Sequence, residues 1–193
     1  MTTPTKREIS AVFKKFKCDK GAMHGYDIMY ESVFGKIGAP SKLLEVGFRR
    51  GRSAASWAEL FPQADLSFID IALRDDVIPE AQGMKVIECN SARTKVQELV
   101  DSDYDVIIDD GDHRPDFQWQ TFMNLENRWK KAYIIEDVIG RENLELLRKR
   151  LISKGYRNIH SFSSKLSDGV VRTNGVDVAT PFFSIAVYPN ASM

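Results

Sequence analysis

The sequence predicts an α/β protein built on a mostly parallel sheet, on three observations. Short β-branched runs without charge alternate along the chain with longer segments of helical periodicity. The first of these runs passes through a glycine turn directly into a helix. Two later runs, Val106 to Asp109 and Ala132 to Glu136, finish in adjacent carboxylates, at the end of a strand where open α/β sheets bind ligands. With 193 residues the chain has room for one domain with a real core and is short for two. No repeat, low-complexity tract or linker divides it, so a single domain over 1–193 is expected.

Composition narrows the function. Basic and acidic residues number 27 each, which gives no electrostatic case for nucleic acid as a partner. Cys18 and Cys89 are far apart and fit no metal or redox spacing, as expected of reduced thiols in a cytoplasmic protein. The first residues lack the apolar core of a signal peptide, and no segment approaches the ~20 apolar residues of a membrane span.

Taken in order, Thr5 and Glu8 have capping-box spacing, and Ile9, Val12, Phe13 and Phe16 share the face of the helix that follows. Asp19 to Tyr26 mixes glycine, charge and an aromatic. That suits a loop lining a pocket or an ordinary connection into a helix from Asp27 to Phe34. Lys42 to Val46 is the first strand. It leads into Gly47-Phe48-Arg49-Arg50-Gly51-Arg52-Ser53 and a helix from Ala54 to Leu60. Glycines there let backbone approach a ligand, and a helix N-terminus offers free N–H groups. The Gly-x-x-x-Gly spacing is not the Gly-x-Gly-x-x-Gly of dinucleotide binders, which disfavours a nicotinamide dehydrogenase. Leu66 to Ile71 is the second strand. Asp70 lies 19 residues after Gly51, placed to accept both hydroxyls of a ribose or, more plainly, to cap a loop.

Met84 to Glu88 is the third strand, with Asn90 and Ser91 at its end, and Thr94 to Val100 reads as helical. After the fourth strand, Pro115 opens a helix over Asp116 to Lys130 whose Phe117, Thr121, Leu125 and Trp129 read as core. The fifth strand precedes a helix from Arg141 to Lys154, with Leu144, Leu147 and Leu151 inward and Gly155 at its C-terminal cap. Asn158 to Ser163 and Phe183 to Tyr188 complete seven strands. The long polar stretch Ser164 to Pro181 between them reads as a loop that covers an acceptor.

The chemistry concentrates at Asp109-Asp110-Gly111-Asp112-His113 and Glu136-Asp137. Three carboxylates within four residues at the edge of a core repel one another and need a cation, protons or water. Two such strand ends are expected to face one divalent metal.

These motifs together resemble the class I S-adenosylmethionine-dependent methyltransferases. Among them, the chain is most similar to the metal-dependent sugar O-methyltransferases of macrolide biosynthesis, the mycinamicin and macrocin group, and to cephalosporin hydroxylase-like proteins. The residues that carry the likeness are Asp19-Lys20 with His24-Gly25-Tyr26, Glu45-Val46-Gly47 through Gly51-Arg52-Ser53, Asp70, Asp109 through His113, and Ile135-Glu136-Asp137. The resemblance implies a Rossmann-like, mostly parallel seven-stranded sheet with an antiparallel last strand and helices on both faces. It also implies a helical cap over 1–40 on a core over 42–193.

It implies S-adenosylmethionine and Mg2+ as cofactors and a small hydroxylated acceptor, such as a sugar, as substrate; a homo-oligomer stays open. Glu45, Gly47, Gly51 and Ser53 would shape the cofactor site, Asp70 would hold the ribose, Asn90 and Ser91 would lie near the adenine, and Asp109 would support the site from behind. Asp110, Glu136 and Asp137 would ligate the metal, and His113 would be the general base. Asp19, Lys20, His24 and Tyr26 would close over donor or acceptor. This chain has Asp112 where the family pattern has serine, and Arg49, Arg50 and Arg52 make its glycine turn basic. Those arginines suit either an anionic acceptor group or plain solvent. Two other functions remain open: a hydroxylase-like reaction on the same fold and metal, or a non-catalytic S-adenosylmethionine-binding regulator.

Overall fold

Three helices precede a run of alternating strands and helices in a computed structural model that describes residues 3–93, 95–164, 169–173 and 176–190, with 169–180 described by backbone pairing alone. The elements are α1 (Lys6–Lys15), α2 (Asp19–Ala22), α3 (Asp27–Ile37), β1 (Lys42–Val46), α4 (Arg52–Leu60), β2 (Asp65–Asp70), β3 (Val86–Glu88), α5 (Val96–Leu99), β4 (Tyr104–Asp109), α6 (Pro115–Leu125), β5 (Trp129–Ile139), α7 (Arg141–Ser153), β6 (Asn158–Ser163), β7 (Gly169–Thr173), β8 (Val176–Thr180) and β9 (Phe182–Tyr188). Seven strands form one sheet in the order β3-β2-β1-β4-β5-β9-β6. β1 to β5 pair in parallel, and β9 runs antiparallel between β5 and β6. This is the expected topology, including the antiparallel last strand.

The sheet is buried because both faces are covered. β4 is buried along its whole length. On one face Ile9, Phe13, Tyr30, Phe34 and Trp57 from α1, α3 and α4 pack on the inner strands. Phe13 and Tyr30 both meet the Trp57 ring edge-on, with centroids 5.5 and 4.8 Å away. On the other face Phe122 and Leu125 of α6 and Leu144, Leu147 and Leu151 of α7 fill a second core. Each fully buried side chain of this size contributes about 1.5–3 kcal/mol of transfer free energy. Thr5 and Glu8 form the capping box that starts α1, and Gly155 follows α7 in a left-handed conformation at φ 109°.

Four expectations need correction. Asp19 to Ala22 is a helical turn, not open loop, and buries Lys20. The helix after Pro115 ends at Leu125, because Trp129 already pairs with Tyr104 in the sheet. A half-buried tryptophan fits that pleated position as well as it fits a helix face. Phe117 is not core but lines a cleft. The stretch read as a covering loop contains a hairpin of β7 and β8, while 165–168 and 174–175 lie outside the described residues, as does Thr94.

Two backbone features set the site. Gly47 sits at φ +100°, and a Cβ there would lie 2.1 Å from the carbonyl oxygen of Asp110. Only glycine lets the turns after β1 and β4 approach so closely. In β5 the register slips between Ile135 and Val138, and Asp137 within the slip is left-handed at φ 50°. In a regular strand Glu136 and Asp137 would point to opposite faces. The bulge re-aims them.

Gly47→Ala should lose about 2–4 kcal/mol of stability through steric overlap and left-handed strain. Thermal unfolding measures it, and an unchanged Tm would mean that the Asp110 turn moves aside freely.

Candidate active site

A cleft opens at the C-terminal ends of β1, β2 and β4. Its larger lobe is about 400 Å3 and is lined by Asp70, Asn90, Ser91, Ala92, His113 and Phe117, among others. That volume falls in the ~300–1,000 Å3 range of small-molecule sites. Asp70 is fixed at the rim, where its two carboxylate oxygens accept from the Arg49 N–H at 2.7 Å and the Ala72 N–H at 3.3 Å. Asn90 accepts from the Ala92 N–H at 3.0 Å, and the Ser91 hydroxyl lies 3.1 Å from that of Thr121.

Behind the cleft is a buried ionic network. The Lys20 side chain is 2% exposed. Its ammonium donates to Asp110 Oδ2 at 2.6 Å and to Glu136 Oε2, and lies 3.4 Å from Glu45 Oε1. Tyr30 donates to the other Glu136 oxygen at 2.6 Å, and Ser53 donates to Glu45 Oε2 at 2.7 Å. Burial alone would pull the lysine down, but Asp110 and Glu136 outweigh it and hold its ammonium well above the usual range. Burial pushes Glu45 up to about 6 and raises Asp110 and Glu136, against the pull of the same ammonium. Asp109 lies underneath, 1% exposed, and burial pushes it up to about 8. A single ammonium thus serves three carboxylates.

The cleft side of the same strand ends holds a second group. Asp110, His113 and Asp137 each offer a ligand atom, all within 4.8 Å of one another. Tyr26 donates to Asp137 Oδ1 at 2.5 Å, and His24 Nδ1 is 3.2 Å from that oxygen. His24 stacks on Tyr26 with centroids 5.0 Å apart. Gln118 of α6 donates to the Glu136 carbonyl at 2.8 Å and braces the bulge. The two carboxylates suit a hard divalent cation, which prefers oxygen donors, whereas the imidazole suits a softer one.

No family model and no curated protein matches the chain. Solved structures do. The MycE methyltransferase of the mycinamycin biosynthetic pathway, in complex with Mg, S-adenosylhomocysteine and mycinamycin VI, superposes with a TM-score of 0.58 at 21% identity. The match covers 67% of this chain and 37% of that one, so this chain spans little more than a third of MycE. The O-methyltransferase TomG of Streptomyces achromogenes gives 0.54 at 12% identity over 96% and 89% of the two chains. An O-methyltransferase of Bacillus cereus, bound to S-adenosylhomocysteine, gives 0.57 at 11% over 96% and 92%. The fold is that of the class I S-adenosylmethionine-dependent methyltransferases.

Within that fold the expected site residues divide. Gly47, Asp70, Asn90, Ser91, Asp110 and His113 line the larger lobe, and Asp19 and Ser53 line its neighbour. Glu45 and Asp109 are buried behind both lobes. Gly51 supports the turn from below, where an added Cβ would lie 2.3 Å from that of Ala81. Lys20, His24 and Tyr26, expected to close over donor or acceptor, are instead buried against the acids, and neither lobe is lined by them. Glu136 is held by Lys20 and Tyr30, and His113 joins Asp110 and Asp137 in the three-residue group. Asp112 is spent within its own turn, accepting from the Arg114 guanidinium and N–H. Tyr30, Gln118 and Arg74 are site residues that sequence reasoning missed. Only Tyr30 left a signal, four residues after Tyr26 and so on the same helical face. Among the described residues no helix is long and apolar enough to cross a membrane.

Lys20→Met should cost about 3–5 kcal/mol, because it strands buried carboxylates. The double variant Lys20→Met/Glu136→Gln should regain part of that loss. A Tm of the single variant equal to that of the wild type would contradict the network.

Proposed function

We propose that the protein transfers the methyl group of S-adenosylmethionine to a hydroxyl of a small molecule, a sugar being the class the family resemblance favours, with a bound Mg2+ assisting. The observation that carries this reading is one cleft with Asp70 on its rim and Asp110 and His113 on its wall, their ligand atoms within 4.8 Å of one on Asp137. The adenosine half of the donor fits the larger lobe. Asp70 has acceptor capacity left for ribose hydroxyls, and Ala92 and Phe117 give apolar walls for a base. The metal would be held by Asp110 and Asp137, and when bound it stabilises an alkoxide forming on the acceptor.

The chain's own residues do the rest. His113 takes the hydroxyl proton as the acceptor oxygen attacks the methyl carbon. The carbon–sulfur bond breaks in line, and S-adenosylhomocysteine leaves. Tyr26 and His24 fix Asp137, and Lys20 holds Asp110 by one oxygen, leaving the other for the cleft.

The Asp110, His113 and Asp137 grouping favours a second role for His113, as a metal ligand. His113→Asn separates the two. Loss of a base lowers kcat by about 10²–10⁴ with unchanged Mn2+ affinity, whereas loss of a ligand weakens Mn2+ binding itself.

Calorimetry should show binding of S-adenosylhomocysteine and not of NAD. A screen of hydroxylated metabolites should find one whose methylation is lost in chelator. Asp110→Asn should abolish that turnover and leave S-adenosylhomocysteine affinity nearly intact. Tight NAD binding, or turnover indifferent to chelator, refutes the cofactor or the metal respectively.

A further inference from the structure

We propose that Gln118 is the positioning residue of His113. Its side-chain carbonyl oxygen accepts from the Nδ1–H of that ring, directly or through one bridging water. The ring is thereby held with its Nε2 lone pair toward Asp110 and Asp137. The proposal rests on the methyl-transfer reading only for the use to which that lone pair is put.

The start of α6 brings the two side chains together. Arg114 is the N-cap, extended at φ −74° and ψ 130°, and Pro115 is the first helical residue. The Gln118 N–H closes the first turn on the Arg114 carbonyl at 3.0 Å. His113 is therefore the residue before the cap, and Gln118 is the fourth of the helix. Side chains at those two positions pack on each other at helix starts, usually as an apolar pair. Here the pair is polar. Gln118 is 1% exposed, a depth at which glutamine is uncommon.

Each side chain has one end engaged. The Gln118 amide nitrogen donates to the Glu136 carbonyl at 2.8 Å. A carbonyl can only accept, so that bond fixes which way round the amide lies and leaves Oε1 as its free end. His113 Nε2 faces Asp137 Oδ2 at 3.8 Å. What remains is one buried acceptor, Gln118 Oε1, and one buried ring nitrogen, His113 Nδ1. Neither has a hydrogen-bond partner among the described residues. Buried polar atoms are ordinarily satisfied, and these two complement each other.

A neutral imidazole carries its proton on one nitrogen, and the bond made there decides which. An acceptor beside Nδ1 puts the proton on Nδ1 and leaves Nε2 bare, to take a hydroxyl proton or to face a cation. Gln118 also holds the bulge that carries Asp137, so one amide sets the relative placement of base and acid.

The ring-nitrogen NMR spectrum of the full chain tests this, with isotope-labelled histidine, in chelator, at a pH where the ring is neutral. The chain has three histidines, and His113→Asn identifies the signals of His113. In the wild type the proton should sit on Nδ1. In Gln118→Leu, which has no acceptor, it should shift toward Nε2. In Gln118→Glu, which keeps one, it should stay on Nδ1. Gln118→Leu should also lower kcat by about 10–100-fold with unchanged S-adenosylhomocysteine affinity, and Gln118→Glu should recover part of that rate. A wild type protonated on Nε2 overturns the proposal, and that result needs no variant to fold. A Gln118→Leu spectrum identical to that of the wild type overturns it equally. Absence of methyl transfer by a wild type protonated on Nδ1 refutes the methyl-transfer reading instead, and the positioning role stands.

Discussion

The ammonium of Lys20 is the constraint on which the site depends. Glu45 at the end of β1, Asp110 after β4 and Glu136 in β5 come from three parallel strands, and packing those strands brings their acids together. Without a cation their mutual repulsion and desolvation would oppose the sheet that creates them. Lys20 reaches them because α2 sits as a short turn between α1 and α3, both anchored on Trp57 through Phe13 and Tyr30. The N-terminal helices therefore complete the ionic core of the strand ends as well as covering one face of the sheet. A buried ion pair is weak as a source of net stability, but breaking one is costly, and that asymmetry fixes the carboxylates in place.

Backbone irregularities gather at the same edge. Gly47 allows the turn after β1 to touch the Asp110 carbonyl, Arg49 is left-handed in that turn, and Asp137 is left-handed in the β5 bulge. Strained backbone persists where surrounding packing over-determines it, and it clusters at functional sites. Here the bulge has a visible result. Glu136 turns back to Lys20 and Tyr30, while Asp137 turns to His24, Tyr26 and His113. Two adjacent acids thus join two different groups, the Lys20 network and the cluster with Asp110 and His113.

The two lobes of the cleft share Arg49 and Asp110. Asp70, Asp110 and His113 line the larger lobe, where Ala92 and Phe117 add apolar patches, and Arg50, Arg52 and Arg74 line the smaller one. On the proposed reading donor binding and acceptor activation share one opening at the strand ends. The similar solved structures support the fold, and the assignment of these tasks comes from the residues themselves.

The sequence by itself determined the sheet. Uncharged β-branched runs, a glycine turn and periodic leucines are local signals, and burial on both faces leaves parallel strands little choice. It also marked Asp109–His113 and Glu136–Asp137, since charge so dense at a strand end has no place in a core. Tertiary structure decided the partners. That Lys20 rather than solvent meets Asp110 and Glu136 depends on α1 and α3 docking on Trp57 and holding α2 between them. That Asp137 rather than Glu136 faces His113 depends on a bulge. That Arg74 joins the glycine-turn arginines depends on a loop after β2 whose composition is ordinary. The end of α6 was illegible for a related reason: Trp129 suits a helix face and a pleated strand equally, and only pairing with Tyr104 settles it. Periodicity is written within a segment, whereas a charge finds its partner across segments, where long-range packing sets the distance.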